Sequence, residues 1–235
     1  MRESFALIAG GGTAGHLYPG LAVAEALVSL GKRRNEIHFF TSDREIDNKL
    51  LTAADFHFTP LEGNGLTRRN ISSLIASVIL LIKSTIFAYR YVRKSKPKVI
   101  LALGGFAAVP GSVAGLLTGT PVVLHEQNSV PGSANKLISK WVKKSAVSYQ
   151  NTELPRRMYT GNPVRKEVTD LVSSDKSMHR SQLGIPEKNK LVVITGGSLG
   201  SLKINQSILN ALPDLKEIPN LTIYHIIGSR DWEEM

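Results

Sequence analysis

The chain has 235 residues, of which 42% are hydrophobic, and it carries a formal net charge of +10 at pH 7. This length and hydrophobic content predict one large globular domain, or a domain plus a partner, and exclude a disordered chain. The absence of cysteine excludes disulfides, thiolate catalysis and cysteine metal sites. The positive charge indicates an anionic partner. We do not expect nucleic acid, since no recognised binding motif is present and only 6% of the residues are aromatic.

A glycine-rich turn near the N-terminus follows a short apolar run and precedes a helical pattern at residues 21–27. Strand, glycine turn and helix in this order predict an anion-binding site, because backbone N–H groups and the helix N-terminus face the ligand. The spacing of Gly10, Gly12 and Gly15 also fits the dinucleotide fingerprint. One alternative is therefore an oxidoreductase that binds a nicotinamide or flavin cofactor, in which Asp43 would contact the ribose of the cofactor.

Apolar runs and helical patterns alternate along the rest of the chain. We expect strands at residues 36–41, 56–61, 98–103, 121–124, 146–149, 190–195 and 221–227, and helices at residues 46–54, 70–94, 112–117, 133–142 and 203–212. The strand at 190–195 is expected to be buried, and residues 173–180 are expected to form a loop. The alternation predicts an α/β fold with doubly wound parallel sheets.

Two further glycine turns follow predicted strands, at Gly104–Gly105 and at residues 196–200. The strand at 121–124 leads into a polar cluster, His125 to Asn128. Ligands of open parallel sheets bind beyond the carboxyl ends of the strands. We therefore expect the polar cluster and the first two glycine turns to share one crevice.

The predicted helix at residues 70–94 is apolar on two sides. One stripe is expected to face the core: Ile71, Leu74, Ile75, Val78, Ile79, Ile82, Ile86 and Tyr89. The opposite side, with its basic flanks, is the expected membrane face: Leu80, Lys83, Phe87, Arg90, Tyr91 and Lys94. It favours contact with an anionic membrane or a partner surface, the alternative being burial on both sides. We do not expect the helix to span a bilayer, because Lys83 and Arg90 interrupt it.

Five motifs, in order and spacing, closely resemble the MurG family: Gly11-Gly12-Thr13-Ala14-Gly15-His16, Gly104-Gly105-Phe106, His125-Glu126-Gln127-Asn128, Gly161-Asn162-Pro163-Val164-Arg165 and Gly196-Gly197-Ser198. The resemblance covers essentially the whole chain. It implies two Rossmann-like domains of the GT-B glycosyltransferase type: residues 1–162 bind the acceptor and the membrane, and residues 163–235 are the first part of an incomplete UDP-sugar domain. The oxidoreductase alternative leaves two glycine turns and the polar cluster unexplained.

The resemblance also implies a reaction. N-acetylglucosamine passes from UDP-N-acetylglucosamine to the 4-hydroxyl of the muramoyl sugar of undecaprenyl-diphospho-muramoyl-pentapeptide, with inversion, during peptidoglycan synthesis. The implied site lies between the two domains, and the implied location is the cytoplasmic face of the bacterial cell membrane, as a peripheral protein. No cofactor and no metal are expected. The alternative is a truncated chain that binds membrane or lipid precursor and catalyses nothing.

Inverting transfer needs a base for the acceptor hydroxyl, and His16 and Glu126 are the candidates, with His125 competing. The resemblance implies substrate contacts from Thr13, Ala14, Gly15, Asn128, Arg165 and Ser198, and acceptor diphosphate loops at Gly11, Gly12, Gly104 and Gly105. Each side-chain assignment has a structural alternative: a loop-shaping hydrogen bond for His16, a loop anchor for Glu126, a turn cap for Asn128, an interdomain salt bridge for Arg165 and a helix cap for Ser198.

Overall fold

The structure is a computed structural model that describes residues 4–63, 71–197, 200–228 and 230–232. The chain divides into two compact units, Met1–Thr169 and Asp170–Met235. The predicted domain boundary between residues 162 and 163 lies shortly before this division and stays a prediction. Ser198, expected to contact substrate, lies outside the described residues.

The first unit is built on a parallel sheet, which among the described residues has seven strands: β1 (Ala6–Gly10), β2 (Ile37–Ser42), β3 (His57–Leu61), β4 (Val99–Gly104), β5 (Val122–Glu126), β6 (Lys144–Val147) and β7 (Arg157–Tyr159). Their order across the sheet is β3-β2-β1-β4-β5-β6-β7. The order reverses between β1 and β4, which pair in parallel from Ala6 and Val99. Ligands of doubly wound folds bind at this reversal, beyond the carboxyl ends of the strands.

Helices cover both sides of the sheet: α1 (Ala14–Ser29), α2 (Glu45–Ala53), α3 (Ile71–Ser95), α4 (Ala108–Thr118) and α5 (Ser133–Ile138). A short helix without buried residues, α6 (Lys166–Asp170), follows the last strand of the sheet. Alternate residues of each strand enter different cores, as the pleat requires. Leu7 and Phe40 pack in the core beneath α3 and α4, whereas Ile8 and Phe39 pack in the core beneath α1 and α2. The predicted doubly wound α/β fold is confirmed for this unit.

Helix α3 packs against the fold with a different side from the one predicted. Ser84, Ala88 and Val92 are buried, and the rings of Phe87 and Tyr91 contact the core. Six members of the expected core stripe are instead exposed by 42–55%: Leu74, Ile75, Val78, Ile79, Ile82 and Ile86. Tyr89, the stripe's last member, is partly buried and packs against the core, so the prediction is wrong for these six residues and not for Tyr89. Small residues such as Ser84 and Ala88 allow the close approach to α4, and this leaves the isoleucines outside.

The expected membrane face is correspondingly divided. The Tyr91 ring stacks on His38 at 4.7 Å and meets Phe40 edge-on at 5.1 Å, so it faces the core, while Lys83, Arg90 and Lys94 are exposed. By length and composition alone α3 is long and apolar enough to cross a membrane, and little of it is buried. Lys83 and Arg90 therefore do not by themselves exclude a membrane-spanning helix, contrary to the prediction from the sequence.

The second unit contains α7 (Lys176–Gln182), β8 (Lys190–Thr195), α8 (Leu202–Lys216) and β9 (Leu221–Ile226). Strands β8 and β9 pair in parallel. The prediction that β8 is buried is wrong, because it has one strand neighbour in the described part of the chain and Val193 is 55% exposed. The predicted loop at 173–180 is also wrong: the Asp175 carboxylate accepts the Ser177 backbone N–H at 2.9 Å and so caps α7.

Candidate functional site

Asp47 of α2 anchors the first glycine turn. Its carboxylate is completely buried, and Oδ2 accepts the backbone N–H of Gly12 at 2.7 Å. The hydroxyls of Thr41 and Ser42 donate to the same oxygen at 2.7 and 2.6 Å. A Cβ on Gly11 would lie 2.5 Å from this oxygen, so a side chain does not fit there. The Gly12 N–H, expected to bind the acceptor diphosphate, is therefore already occupied.

Helix α1 begins directly after this turn. The Thr13 side chain makes no capping bond; instead its hydroxyl oxygen lies 3.0 Å from Nδ1 of His16. The first N–H groups of a helix have no intrahelical partner, and the helix start carries partial positive charge. Ala14 and Gly15 thus provide backbone N–H donors for a ligand. In His16, Thr13 contacts Nδ1, so Nε2 is the ring nitrogen that can contact a ligand.

The second glycine turn lies against the first. Gly104 and Gly105 have φ angles of +97° and +74°, a left-handed conformation that favours glycine. A Cβ on Gly105 would lie 2.5 Å from the carbonyl oxygen of Gly11, and one on Gly104 would lie 3.3 Å from Nε2 of His16. The turn leads into α4, and Ala107, the residue before this helix, makes no side-chain capping bond to it. Two helix N-termini and His16 therefore meet at one place.

Glu126 is the last residue of β5 and is 1% exposed. Its Oε1 accepts the backbone N–H and the side-chain amide of Asn128 at 2.9 and 3.1 Å. Its Oε2 accepts the backbone N–H of Gly132 at 3.0 Å and the amide of Asn135 at 2.8 Å. This is the arrangement of a loop anchor. It does not support the expected role as a base, because all four donors come from the loop and helix that follow the strand.

His125 also holds protein segments together. It is 3% exposed, with Nε2 3.2 Å from the carbonyl oxygen of Gly161 and Nδ1 3.1 Å from the side-chain nitrogen of Gln127. Burial lowers the pKa of His125, so the ring stays neutral near neutral pH. His125 therefore fixes the end of β5 to the Gly161 segment.

A cavity of about 430 Å³ opens beside the two turns. Its lining combines polar groups with apolar side chains: His16, Ser77, Leu81, Gly104, Gly105, Phe106, Val109, Glu126, Gly132, Ser133, Ala134, Asn135 and Leu137. The cavity brings together the second glycine turn, His16 after the first turn, and Glu126 of the polar cluster; residues 10–15, His125 and Asn128 do not line it, so the predicted common crevice is supported only in part. No group of three or more His, Asp or Glu side chains in the described ranges could hold a metal ion.

Asn135 of α5 is the buried amide of this cavity and is 2% exposed. Its nitrogen donates to Glu126 and to the carbonyl oxygen of His125, which fixes the orientation of the amide. Its Oδ1 is buried and has no hydrogen-bond partner in the described part of the chain. A buried unpaired acceptor costs about 1–3 kcal/mol. Asn135 thus combines an anchoring bond to Glu126 with one unsatisfied acceptor.

The remaining predicted contacts are not brought into this cavity. The guanidinium of Arg165 stacks on the Tyr18 ring at 4.3 Å and lines a separate cleft with Glu25 and Arg34. Asn128 is exposed on the loop after β5, where its amide is held by Glu126. The substrate contacts expected from Arg165 and Asn128 stay predictions.

Sequence reasoning missed three buried polar anchors, Asp47, Asn135 and Asn205. Asn205 of α8 is completely buried and donates to the Ile227 carbonyl oxygen at 3.1 Å and to Asp231 at 3.0 Å. A polar residue on the apolar side of a helix is the signal that could have found them. Asp47, for example, is one of the two buried residues of α2.

The chain matches the model of the glycosyltransferase family 28 N-terminal domain over residues 6–147 and that of the C-terminal domain over residues 191–235. It is 32% identical over 234 residues to the UDP-N-acetylglucosamine--N-acetylmuramyl-(pentapeptide) pyrophosphoryl-undecaprenol N-acetylglucosamine transferase of Acidovorax ebreus, covering 100% of this chain and 56% of the relative. The enzyme of that name from Shewanella frigidimarina is 34% identical, with coverages of 96% and 59%.

Among solved structures, Acinetobacter baumannii MurG superposes with a TM-score of 0.69 at 26% identity, covering 98% of this chain and 60% of that one. This likeness agrees with the predicted GT-B type of fold. The chain spans about 56–60% of the length of these three relatives. The N-terminal domain model alone accounts for more than half of the residues. The chain therefore belongs to glycosyltransferase family 28.

Proposed function

We propose that this chain takes part in the transfer of N-acetylglucosamine from UDP-N-acetylglucosamine to the 4-hydroxyl of undecaprenyl-diphospho-muramoyl-pentapeptide. The names of the relatives supply the donor and the acceptor. The observation that carries the proposal is that the two glycine turns pack against each other, and that the second turn and His16 line one cavity beside the starts of α1 and α4. Such a place suits an anionic acceptor and a base beside it.

His16 is the base in this proposal. When Nδ1 carries the hydrogen and donates it to the Thr13 hydroxyl oxygen, Nε2 presents its lone pair towards the turn at Gly104. The acceptor hydroxyl gives its proton to Nε2 while its oxygen attacks the anomeric carbon, and UDP leaves from the opposite face. Glu126 takes no part in the proton transfer, because its oxygens already accept four hydrogen bonds.

The acceptor diphosphate binds where the two helices begin. Ala14 and Gly15 supply N–H donors at the start of α1, and the start of α4 adds partial positive charge beside Gly105. Gly12 does not take part through its N–H, which donates to Asp47. Gly11 and Gly104 permit the close packing of the turns, since side chains there would meet neighbouring atoms, and Gly12 permits the φ of +85° that the first turn needs.

The UDP-sugar is bound by residues beyond this cavity. On the strength of the motif resemblance, Ser198 is the proposed contact to the nucleotide diphosphate, and Asn128 and Arg165 remain proposed substrate contacts. Leaving-group stabilisation comes from helix N-termini and backbone donors in this proposal.

The proposed location is the cytoplasmic face of the bacterial cell membrane, with α3 lying on an anionic surface. The exposed side of α3 carries Ile75, Ile79, Ile82 and Ile86, each 47–55% exposed. Lys83, Arg90 and Lys94 are exposed on the same helix. Apolar contact with basic residues beside it is the pattern of peripheral binding to anionic lipid.

A second candidate function is binding without catalysis. The observation that favours it is coverage, because the chain spans 56–60% of the relatives. One assay separates the two: labelled UDP-N-acetylglucosamine is incubated with a lipid-linked muramoyl-pentapeptide acceptor and this chain. Labelled product that disappears in the His16→Gln variant supports transfer. Acceptor binding without product supports the second candidate, and neither binding nor product contradicts both.

A further inference from the structure

The cavity beside the glycine turns has two chemically different ends. At one end are His16, Gly104 and Gly105, next to the starts of α1 and α4. Apolar side chains of α3, the second glycine turn, α4 and α5 form much of the remaining lining, beside the polar Ser77, Ser133, Glu126 and Asn135: Leu81, Phe106, Val109 and Leu137. A cavity of about 430 Å³ lies within the range of ligand sites, about 300–1,000 Å³. An amphipathic ligand with an anionic head and an apolar tail matches this division.

Helix α3 links the cavity to the exposed apolar surface. Ser77 and Leu81 of α3 line the cavity, whereas Ile79 and Ile82, on the other side of the same turns, are 48% and 53% exposed. Leu137, on the facing wall, is 47% exposed, so the cavity is open there. The apolar wall and the apolar outer side of α3 are therefore two sides of one helix.

We propose that this cavity binds the first isoprene units of the polyprenyl diphosphate carrier, the units attached directly to the diphosphate. The inference rests on the proposed function, which places that diphosphate at the starts of α1 and α4. With the diphosphate there, the chain attached to it enters the apolar part of the cavity and leaves it along α3. The protein thus recognises the lipid by its proximal isoprene units as well as by its anionic group.

The expected strength follows from the apolar area that is buried. Burying the apolar surface of one isoprene unit should raise the affinity at least about tenfold, which is about 1.4 kcal/mol. Geranyl diphosphate, with two isoprene units and good solubility, is the suitable probe. Inorganic pyrophosphate is the matched head group without the tail.

The test measures the affinity of this chain for both probes by isothermal titration calorimetry. We expect geranyl diphosphate to bind at least about ten times more tightly than pyrophosphate. Val109→Phe, which fills the cavity, and Leu137→Ser, at an already half-exposed position, should each reduce this ratio without changing the affinity for pyrophosphate. Leu116→Ser is the matched control, because Leu116 is 53% exposed on α4 and does not line the cavity.

Each outcome has one meaning. Equal affinities for the two probes contradict the isoprene site and leave the anion site intact. If Leu116→Ser lowers the ratio of the two affinities as much as Leu137→Ser does, the isoprene site is also contradicted, because the effect then does not depend on the cavity. No binding of either probe contradicts the proposed function as well.

Discussion

The backbone N–H of Gly12 donates to Oδ2 of Asp47 at 2.7 Å in the first unit. Asp47 is completely buried, and the Thr41 and Ser42 hydroxyls donate to the same oxygen. The glycine turn is thus shaped by a carboxylate of its own chain before any ligand arrives. The consequence for recognition is that the anion site lies further along, at the start of α1.

The Asp47→Ala variant tests this anchor. Removing the carboxylate leaves buried donors without an acceptor, so we expect a loss of about 3 kcal/mol in the free energy of unfolding. Urea denaturation followed by circular dichroism measures it. Asp43→Ala, at an exposed neighbouring position, is the control and should stay within about 0.5 kcal/mol of the parent chain. A loss in Asp47→Ala no larger than in the control would show that the turn does not depend on Asp47.

Replacing Glu126 by glutamine is expected to lower the stability of the fold far more than replacing His16 by glutamine. Glu126→Gln places an amide where two backbone N–H groups and two side-chain amides donate, so we expect a loss of about 2–3 kcal/mol of stability. His16→Gln should change stability by less than about 1 kcal/mol, because the half-buried ring makes one side-chain bond, to Thr13. Thermal and urea unfolding of both variants checks this. Full stability of Glu126→Gln would contradict the anchoring role.

The sequence predicted the alternation of strands and helices well because period, glycine turns and apolar runs are local signals. It also predicted the meeting of the first two glycine turns, since strand-end geometry is shared by all doubly wound sheets. The sequence-based prediction failed for α3. Both sides of this helix are apolar, so periodicity cannot decide which side packs against the rest of the fold. Ser84 and Ala88, the small residues that allow close packing, were the better signal.

Buried polar anchors were the other failure. Glu126 and His125 were visible as a polar cluster after a strand, but the anchoring partners of Glu126 lie on the following loop and helix, and His125 depends on a distant segment. His125, for instance, meets Gly161 across 36 positions of sequence. Such pairings come from tertiary structure and leave no periodic trace in the sequence.

His38 is expected to make stability depend on pH. Burial, with the nearby charge of His57 as the lesser cause, lowers the pKa of His38 from 6.5 to about 4. The unfolded chain therefore takes up a proton near pH 6.5, whereas the folded chain does so only near pH 4. Stability is fully present above pH 6.5 and falls as the pH drops towards 4, by about 2 kcal/mol at pH 5 from this group.

The His38→Phe variant isolates this effect, because the phenyl ring keeps a flat surface against Tyr91 and does not titrate. The difference in unfolding free energy between pH 7 and pH 5 should be about 2 kcal/mol smaller in the variant than in the parent chain. Urea denaturation at the two pH values gives both differences, and the other titrating groups cancel in the comparison. The same difference in both proteins would refute the shifted pKa.

The exposed side of α3 is expected to bind anionic membranes. The double change Ile79→Ser and Ile82→Ser removes two half-exposed isoleucines, so we expect at least about a tenfold loss of affinity for phosphatidylglycerol vesicles in sedimentation. The control removes Leu30 and Val172, which are 79% and 89% exposed and are not part of α3. Equal losses in both double variants would mean that α3 is not the binding surface.

The central claim is that the two glycine turns form one anion site with His16. Titration of the isotope-labelled chain with inorganic pyrophosphate, followed by NMR, tests it most directly. The account predicts that the amide signals of Ala14, Gly15 and Gly105 and the ring signals of His16 shift together with a single dissociation constant, and that the Gly12 amide keeps its bond to Asp47. Saturation of the two turns at different concentrations, or shifts confined to surface lysines, would contradict the account.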